Sequence, residues 1–411
     1  MHLHYRTYCL RCSREIPPEV YQPRCPACRG PLGFTYDRDG LSLPHRPDSM
    51  WDFARLLPVR DLSWVVTLGE GGTPLLPAQG DYGCRVWFKD ESRNPTGSQK
   101  DRALAVAITK AREFGLRTAA LASAGSTGLA SAAYCARAGL HCAVLVTAGT
   151  PPERLAPLRT LGAQVLPVRG TIEDAFAVLA EARERLGIYE TSTYRLANPY
   201  QAEGAKTIGY ETALAMGEAP DWFVLPVGGG GTLASVWRAY RDLAHLGSVS
   251  RLPRMVSVQP ARYNALELMY AGGRIGRPVT AEEIAHLLPR DPGPTIQVKL
   301  AHTVPPDWED ALAALHESDG IALSVTDEQA LEAQEELGAQ EGLFVEPSSA
   351  AALAGLRELV RRGIVQRDHT AVVCLTGSGF RETSVLLQAQ PLRLPKLTPD
   401  EALAALEHTT S

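Results

Sequence analysis

No apolar run in the 411-residue sequence approaches the ~20 residues needed to cross a bilayer, which argues against a membrane-spanning helix. The opening stretch, MHLHYRTYCLRC, lacks the apolar core of a secretory signal, so a soluble, cytoplasmic protein is expected. Long blocks of like charge are also missing. With 41 Lys and Arg against 46 Asp and Glu, the formal net charge is only −5. That balance argues against a nucleic acid or an anionic membrane as the main partner. There are no internal repeats and no low-complexity tracts. What remains is an ordinary globular composition, long enough for more than one domain.

Eight cysteines are present, and four of them form a pattern. Cys84, Cys135, Cys142 and Cys374 stand singly, as reduced buried thiols do. Cys9, Cys12, Cys25 and Cys28 make two C-x-x-C pairs. The first forty residues are too few to bury a stable core alone, so a metal or disulfides are needed. Two C-x-x-C turns can complete a tetrahedral zinc site with no open position, which would be structural. Disulfides or a metal-free remnant are the alternatives.

From about residue 85, β-rich runs ending in small residues alternate with helical patterns. "CRVWFKDES", "TAALASAG", "CAVLVTAG", "AQVLPVRG", "DWFVLPVGGGG", "RMVSVQP" and "TAVVCLTGSG" read as strands. "DRALAVAITKAREFG", "STGLASAAYCARAG", "IEDAFAVLAEARERLG" and "GTLASVWRAYRDLAHLG" read as helices. This order implies an α/β fold with parallel sheets, whose ligands sit beyond the carboxyl ends of the strands. "HLLPRDPGPT" reads as a loop and "LTPDEALAALEHTTS" as a short capped helix.

Three segments carry chemistry. In "NPTGSQKDRALA" a turn runs directly into a helix headed by Lys100. A helix start disfavours an ammonium. Either Lys100 is a solvated surface charge, or its amine is meant to lose its proton and act as a nucleophile. In "ALASAGSTGLASAAY", the turn Ser123-Ala124-Gly125-Ser126-Thr127 lets backbone N–H groups converge on a carboxylate; a tight turn without a ligand is the alternative. In "LPVGGGGTLAS", Gly228, Gly229, Gly230 and Gly231 admit a phosphate, with Thr232 adding a hydroxyl. That loop lacks both the dinucleotide fingerprint and the G-K-[ST] of a P-loop.

These segments, with "NPYQAEGAKT", "VEPSSAAALAGL" and "CLTGSGF", resemble the motifs of fold-type II pyridoxal-phosphate enzymes in order and rough spacing, and most of all those of threonine synthases. The resemblance spans residues 60 to 385. It implies two parallel-sheet α/β domains with the cofactor in the cleft between them. The large domain is expected at 41–89 and 206–395, the small one at 90–205, with the cysteine module at 1–40 and a tail at 396–411. It further implies that Lys100 forms a Schiff base with pyridoxal 5'-phosphate. Gly228 to Thr232 would cradle the cofactor phosphate, Ser126 would lie near the ring hydroxyl, and Thr376 would meet the pyridine nitrogen as a neutral partner. Ser123 to Thr127 would hold the α-carboxylate of a small amino-acid substrate. A homodimer is usual for the family.

The chain departs from the threonine-synthase pattern where the substrate binds. Gln201 stands where an arginine helps hold the phosphate of O-phosphohomoserine, and Arg195-Leu196 stands for an Asn-Ser pair. Gly229 replaces an Asn, Ser126 another Asn, and Gln99 a Phe. Loss of a bidentate guanidinium costs ~1.5 to 3 kcal/mol, and Arg195 offers a replacement charge. The expected activity is threonine synthase: elimination of phosphate, then addition of water. The alternatives are a threonine or serine dehydratase, a β-replacement synthase using an activated serine, and a non-enzymatic scaffold.

Overall fold

The computed structural model describes residues 4–271, 280–289, 291–383, 386–387 and 394–409. At the N-terminus, β1 (Tyr5–Cys9), β2 (Glu15–Ile16) and β3 (Leu32–Tyr36) form an antiparallel sheet in the order β2-β1-β3. The sequence reading placed no strands here. Tyr5, Thr7 and Cys9 are buried while Arg6 is exposed, the period of two that a half-buried strand requires. The two C-x-x-C turns repeat one geometry: Ser13 N–H donates to Cys9 O and Arg29 N–H to Cys25 O, both at 2.9 Å. Ser13 and Arg29 both take positive φ, 58° and 59°.

The remaining strands are β4 (Leu75–Pro77), β5 (Arg85–Asp90), β6 (Thr118–Ala122), β7 (His141–Thr147), β8 (Gln164–Val168), β9 (Tyr189–Glu190), β10 (Trp222–Pro226), β11 (Arg254–Pro260), β12 (Ile321–Val325) and β13 (Thr370–Leu375). They build two sheets. One is β12-β11-β10-β13-β5-β4, parallel except for β4; the other is β8-β7-β6-β9, parallel throughout. All seven runs read as strands after residue 85 are strands. The short β12, with Ser324 inside it, and the marginal β4 and β9 were not anticipated. Central β10 shows why its apolar run is unbroken: Phe223 and Leu225 enter one core, Trp222 and Val224 the other. Both faces are covered by helices.

The anticipated helices form at α1 (Lys100–Glu113), α2 (Ser126–Ala138), Ile172–Leu186 and Gly231–His245. The tail helix Pro399–Thr409 is capped by a hydrogen bond from Glu401 N–H to Thr398 Oγ1. In the expected loop at 286–295 the described residues are non-helical; Arg290 lies outside them. Among the described residues no helix is long and apolar enough to cross a membrane.

Buried charges fix α1. Arg102 donates to both carboxylate oxygens of Glu91 (2.7 and 2.8 Å) and of Glu211 (2.6 and 2.7 Å), and Lys89 donates to Glu211 at 2.7 Å. Every member is essentially solvent-free. A guanidinium so fully satisfied sets the depth and rotation of the helix, and Lys100 stands two residues upstream.

Candidate active site

A cavity of about 690 Å³ opens where the carboxyl ends of both sheets converge. The turn after β6, the glycine loop after β10, Thr376 after β13 and the start of α1 all line it.

The approach to Lys100 is held by side chains. Gly97 N–H closes a turn on Asn94 O at 2.8 Å, and Thr96 donates through its N–H (3.1 Å) and hydroxyl (2.8 Å) to Asp101. Lys100 is thereby the first residue of α1, partly buried, with Nζ donating to Thr193 Oγ1 at 3.1 Å. Thr193 Oγ1 lies 3.4 Å from Thr127 Oγ1. Burial lowers the Lys100 pKa, and the charges of Asp307 and Glu346 oppose that fall only in part. Lys100 thus lines the cavity with Nζ held against Thr193.

The two helices that follow glycine-rich turns present uncapped N-termini to this cavity. α2 begins after Gly125 and the Gly231–His245 helix after Gly230, in each case with no side-chain cap bond. First-turn N–H groups without intrahelical partners make anion sites. The glycines are sterically required at two points. A Cβ on Gly128 would sit 2.0 Å from Ser123 O, and Gly230, at φ 96°, would bring one within 2.9 Å of Asp307 O. Beyond these ends, Gln99 N–H donates to Thr376 O at 3.0 Å, tying α1 to the turn after β13.

Ser123, Ala124, Gly125, Ser126, Thr127, Gln201, Gly228 to Gly231, Thr232 and Thr376 all line the cavity with Lys100. Arg195 does not. Its Nε lies 2.6 Å from Asp310 Oδ2, its NH1 donates to Leu32 O at 3.3 Å, and its backbone N–H donates to Asp307 Oδ1 at 2.8 Å. The expectation that Arg195 supplies a charge to the cavity is therefore corrected: a buried guanidinium goes where a carboxylate neutralises it, and that partner lies outside the cavity.

Several residues were not singled out from the sequence. Thr193 and the segment Val298–Val304 line the cavity, bringing Lys299 and His302. His302 is held down to about 4, first by burial and then by the Lys100 charge, so its imidazole is neutral. Asp307, behind the glycine loop, is pushed up to about 6 by burial and leaves Oδ2 without a hydrogen-bond partner. Glu346, also raised by burial, likewise leaves Oε2 unpartnered. Only Glu346 falls inside a quoted motif; Asp307 follows the Pro305-Pro306 pair at the start of the Trp308–Glu317 helix, and Thr193, Lys299 and His302 occupy segments without periodicity.

At the N-terminal module the four cysteine sulfurs all lie within 4.8 Å of one another. Cys9 Sγ is 3.5 Å from Cys28 Sγ and Cys12 Sγ 3.7 Å from Cys25 Sγ, close to the roughly 3.8 Å edge of a tetrahedral Zn–S4 site. Burial pushes the Cys9 thiol up, but the N–H groups of Cys12 and Arg11 outweigh it and bring it to about 6. This donor set fits zinc.

A family model described as "Pyridoxal-phosphate dependent enzyme" matches residues 66–377. A threonine synthase of Methanosarcina acetivorans is 35% identical over 400 residues, covering 93% of this chain and 94% of its own. A threonine synthase of Methanocaldococcus jannaschii is 33% identical over 405 residues, covering 94% and 96%. Among solved structures, maize serine racemase superposes with a TM-score of 0.63 at 18% identity, covering 82% of this chain and 94% of that one, a likeness of fold.

Proposed function

Because the chain belongs to the pyridoxal-phosphate-dependent enzyme family, we propose that it converts O-phosphohomoserine and water to threonine and phosphate. The observation that carries this reading is convergence: Lys100, two uncapped helix N-termini and Thr376 open on one cavity. Threonine synthases matching nearly the whole chain support the choice of reaction.

The residues present fit the cofactor. Gly228 to Gly231 pack so closely against the 299–311 segment that a Cβ at Gly228, Gly230 or Gly231 would come under 3.0 Å from it, which fixes the loop at the cavity edge, and with Thr232 they would hold the phosphate; Thr376 would face the ring nitrogen and Ser126 the ring hydroxyl. When bound, pyridoxal phosphate would supply a sink for the electrons left when the substrate Cα loses its proton. Lys100 Nζ, in the neutral form that burial favours, takes that proton and returns protons to the carbon skeleton. Ser123 to Thr127, with the first N–H groups of α2, hold the α-carboxylate and so fix Cα against Lys100. The net change removes phosphate from Cγ, leaves Cγ a methyl group and adds hydroxyl at Cβ.

Holoenzyme given O-phosphohomoserine should release phosphate and threonine in equal amounts; release of neither excludes the reaction. A dehydratase is the second reading, favoured by one observation: Gln201 brings no charge to the cavity. Pyruvate from serine or 2-oxobutyrate from threonine would establish it.

The remaining assignments belong to the same proposal. Cys9, Cys12, Cys25 and Cys28 hold a structural zinc. The two sheets belong to separate domains, 90–205 carrying the four-stranded one, which close over substrate. The enzyme acts as a homodimer in the cytoplasm, where the free thiols Cys84, Cys135, Cys142 and Cys374 stay reduced.

A further inference from the structure

A substrate with a phosphate on its side chain needs a second anion site, and neither Gln201 nor Arg195 supplies a cation to one. Two other cations line the cavity besides Lys100. Arg154, from the Pro152–Thr160 helix that follows β7, and Lys299, from the segment ahead of Asp307, both reach it. They are joined by one carboxylate. Arg154 NH2 lies 2.9 Å from Glu382 Oε2, and Lys299 Nζ pairs with Glu382 Oε1.

The exposures differ in a telling way. The Glu382 side chain is only 5% exposed, whereas Arg154 and Lys299 keep 32% and 19%. The carboxylate is thus sealed behind two cations that still face the cavity. Within this cluster of three, two positive charges and one negative leave a net +1. Lys299 is further fixed by its backbone N–H, which donates to Ser348 Oγ at 3.2 Å. Its Nζ lies within about contact distance of the carboxylate turn, 3.4 Å from where a Cβ on Gly125 would stand. An anion bound here therefore sits one short side chain away from an α-carboxylate held by that turn.

We infer that Arg154 and Lys299 form the subsite for the distal phosphate of the substrate, and that Glu382 is the carboxylate with which that phosphate competes. The inference deepens the proposed reaction and rests on it for the identity of the anion. A planar guanidinium and a point-charge ammonium, from different chain segments, grip a tetrahedral dianion more strongly than a monoanionic carboxylate can. Selectivity for a substrate ending in phosphate, over an uncharged amino acid of the same length, follows from this pair.

The test is calorimetric binding to holoenzyme of 2-amino-5-phosphonopentanoate, in which CH2 replaces the ester oxygen, against norvaline, which lacks the phosphonate. Arg154→Gln and Lys299→Gln should each weaken phosphonate binding at least about tenfold while norvaline binding moves less than about twofold. Glu382→Gln should tighten phosphonate binding, because the Arg154 and Lys299 charges then lose their competing carboxylate. Circular dichroism and cofactor absorbance establish that each variant is folded, and Arg154→Lys should retain part of the affinity. Equal losses for both ligands would overturn the inference, placing the cations at the α-carboxylate. So would phosphonate binding indifferent to both substitutions, or no tighter than norvaline in the unaltered enzyme. Threonine formed with phosphonate binding indifferent to Arg154 and Lys299 sinks this inference alone. Phosphonate binding that depends on them, with no threonine formed, sinks the reaction and leaves the subsite.

Discussion

Lys100 Nζ donates to Thr193 Oγ1 at 3.1 Å, across a gap between the first residue of α1 and the loop after β9. That hydroxyl is the acceptor of the ammonium form in a place where burial disfavours charge. Thr193→Val removes it, costs the charged amine a further ~1 to 3 kcal/mol, and should move cofactor attachment to lower pH. The absorbance rise when pyridoxal phosphate is added to apoenzyme, followed across pH 6 to 9, reads this directly; a shift to higher pH would contradict it. Lys100→Ala should lose the absorbance band and about a thousand-fold or more in kcat.

The charge network below Lys100 is all or nothing. Arg102→Met leaves Glu91 and Glu211 with Lys89 as their remaining cation, and breaking a buried pair costs about 3 to 5 kcal/mol. Urea unfolding should show a loss of that size, with cofactor affinity falling as α1 loosens. A loss below about 1 kcal/mol would mean the network does not position the helix.

Asp307 gives a pH dependence of defined sign. Its folded pKa, about 6, lies above the ordinary 3.8, so the folded state favours the neutral acid. Its contribution to stability is full below about pH 3.8 and is lost as pH rises through about 6. Asp307→Asn should therefore stabilise the apoenzyme by about 1 to 3 kcal/mol at pH 7.5 and by little at pH 4. Thermal unfolding at both pH values measures it; equal effects at the two would remove the burial argument.

The cysteine module docks onto the rest of the chain: Arg24 Nε donates to Leu196 O at 2.8 Å, and Lys110 Nζ to Tyr5 OH at 2.9 Å. Cys25→Ser should reduce bound zinc from one per chain to none and lower the melting temperature. Elemental analysis beside a melting curve checks both, and a chain that holds no zinc before substitution contradicts the site.

Much of this was legible in residue order. Strands β6, β10 and β13 are buried apolar runs closed by small residues, so their ends, where ligands bind, could be read directly: Ser123 after β6, Gly228 after β10, Thr376 after β13. What was hidden has a common cause. Thr193, Lys299 and His302 come from connecting segments without periodicity, and their roles depend on which strand ends meet across the cavity. Arg195 shows the reverse error: its charge was visible, but Asp310, the partner that turns it away, sits on a helix far along the chain. The strands of the N-terminal module were masked by the cysteines and prolines between them.

The decisive measurement is the fate of oxygen when holoenzyme acts on O-phosphohomoserine in water enriched in oxygen-18. Breaking the Cγ–O bond and adding water at Cβ places one heavy oxygen in the threonine hydroxyl and none in the released phosphate. Heavy oxygen in the phosphate, with homoserine as the other product, would mean that the cavity merely hydrolyses the ester, and no labelled threonine at all would contradict the proposed reaction.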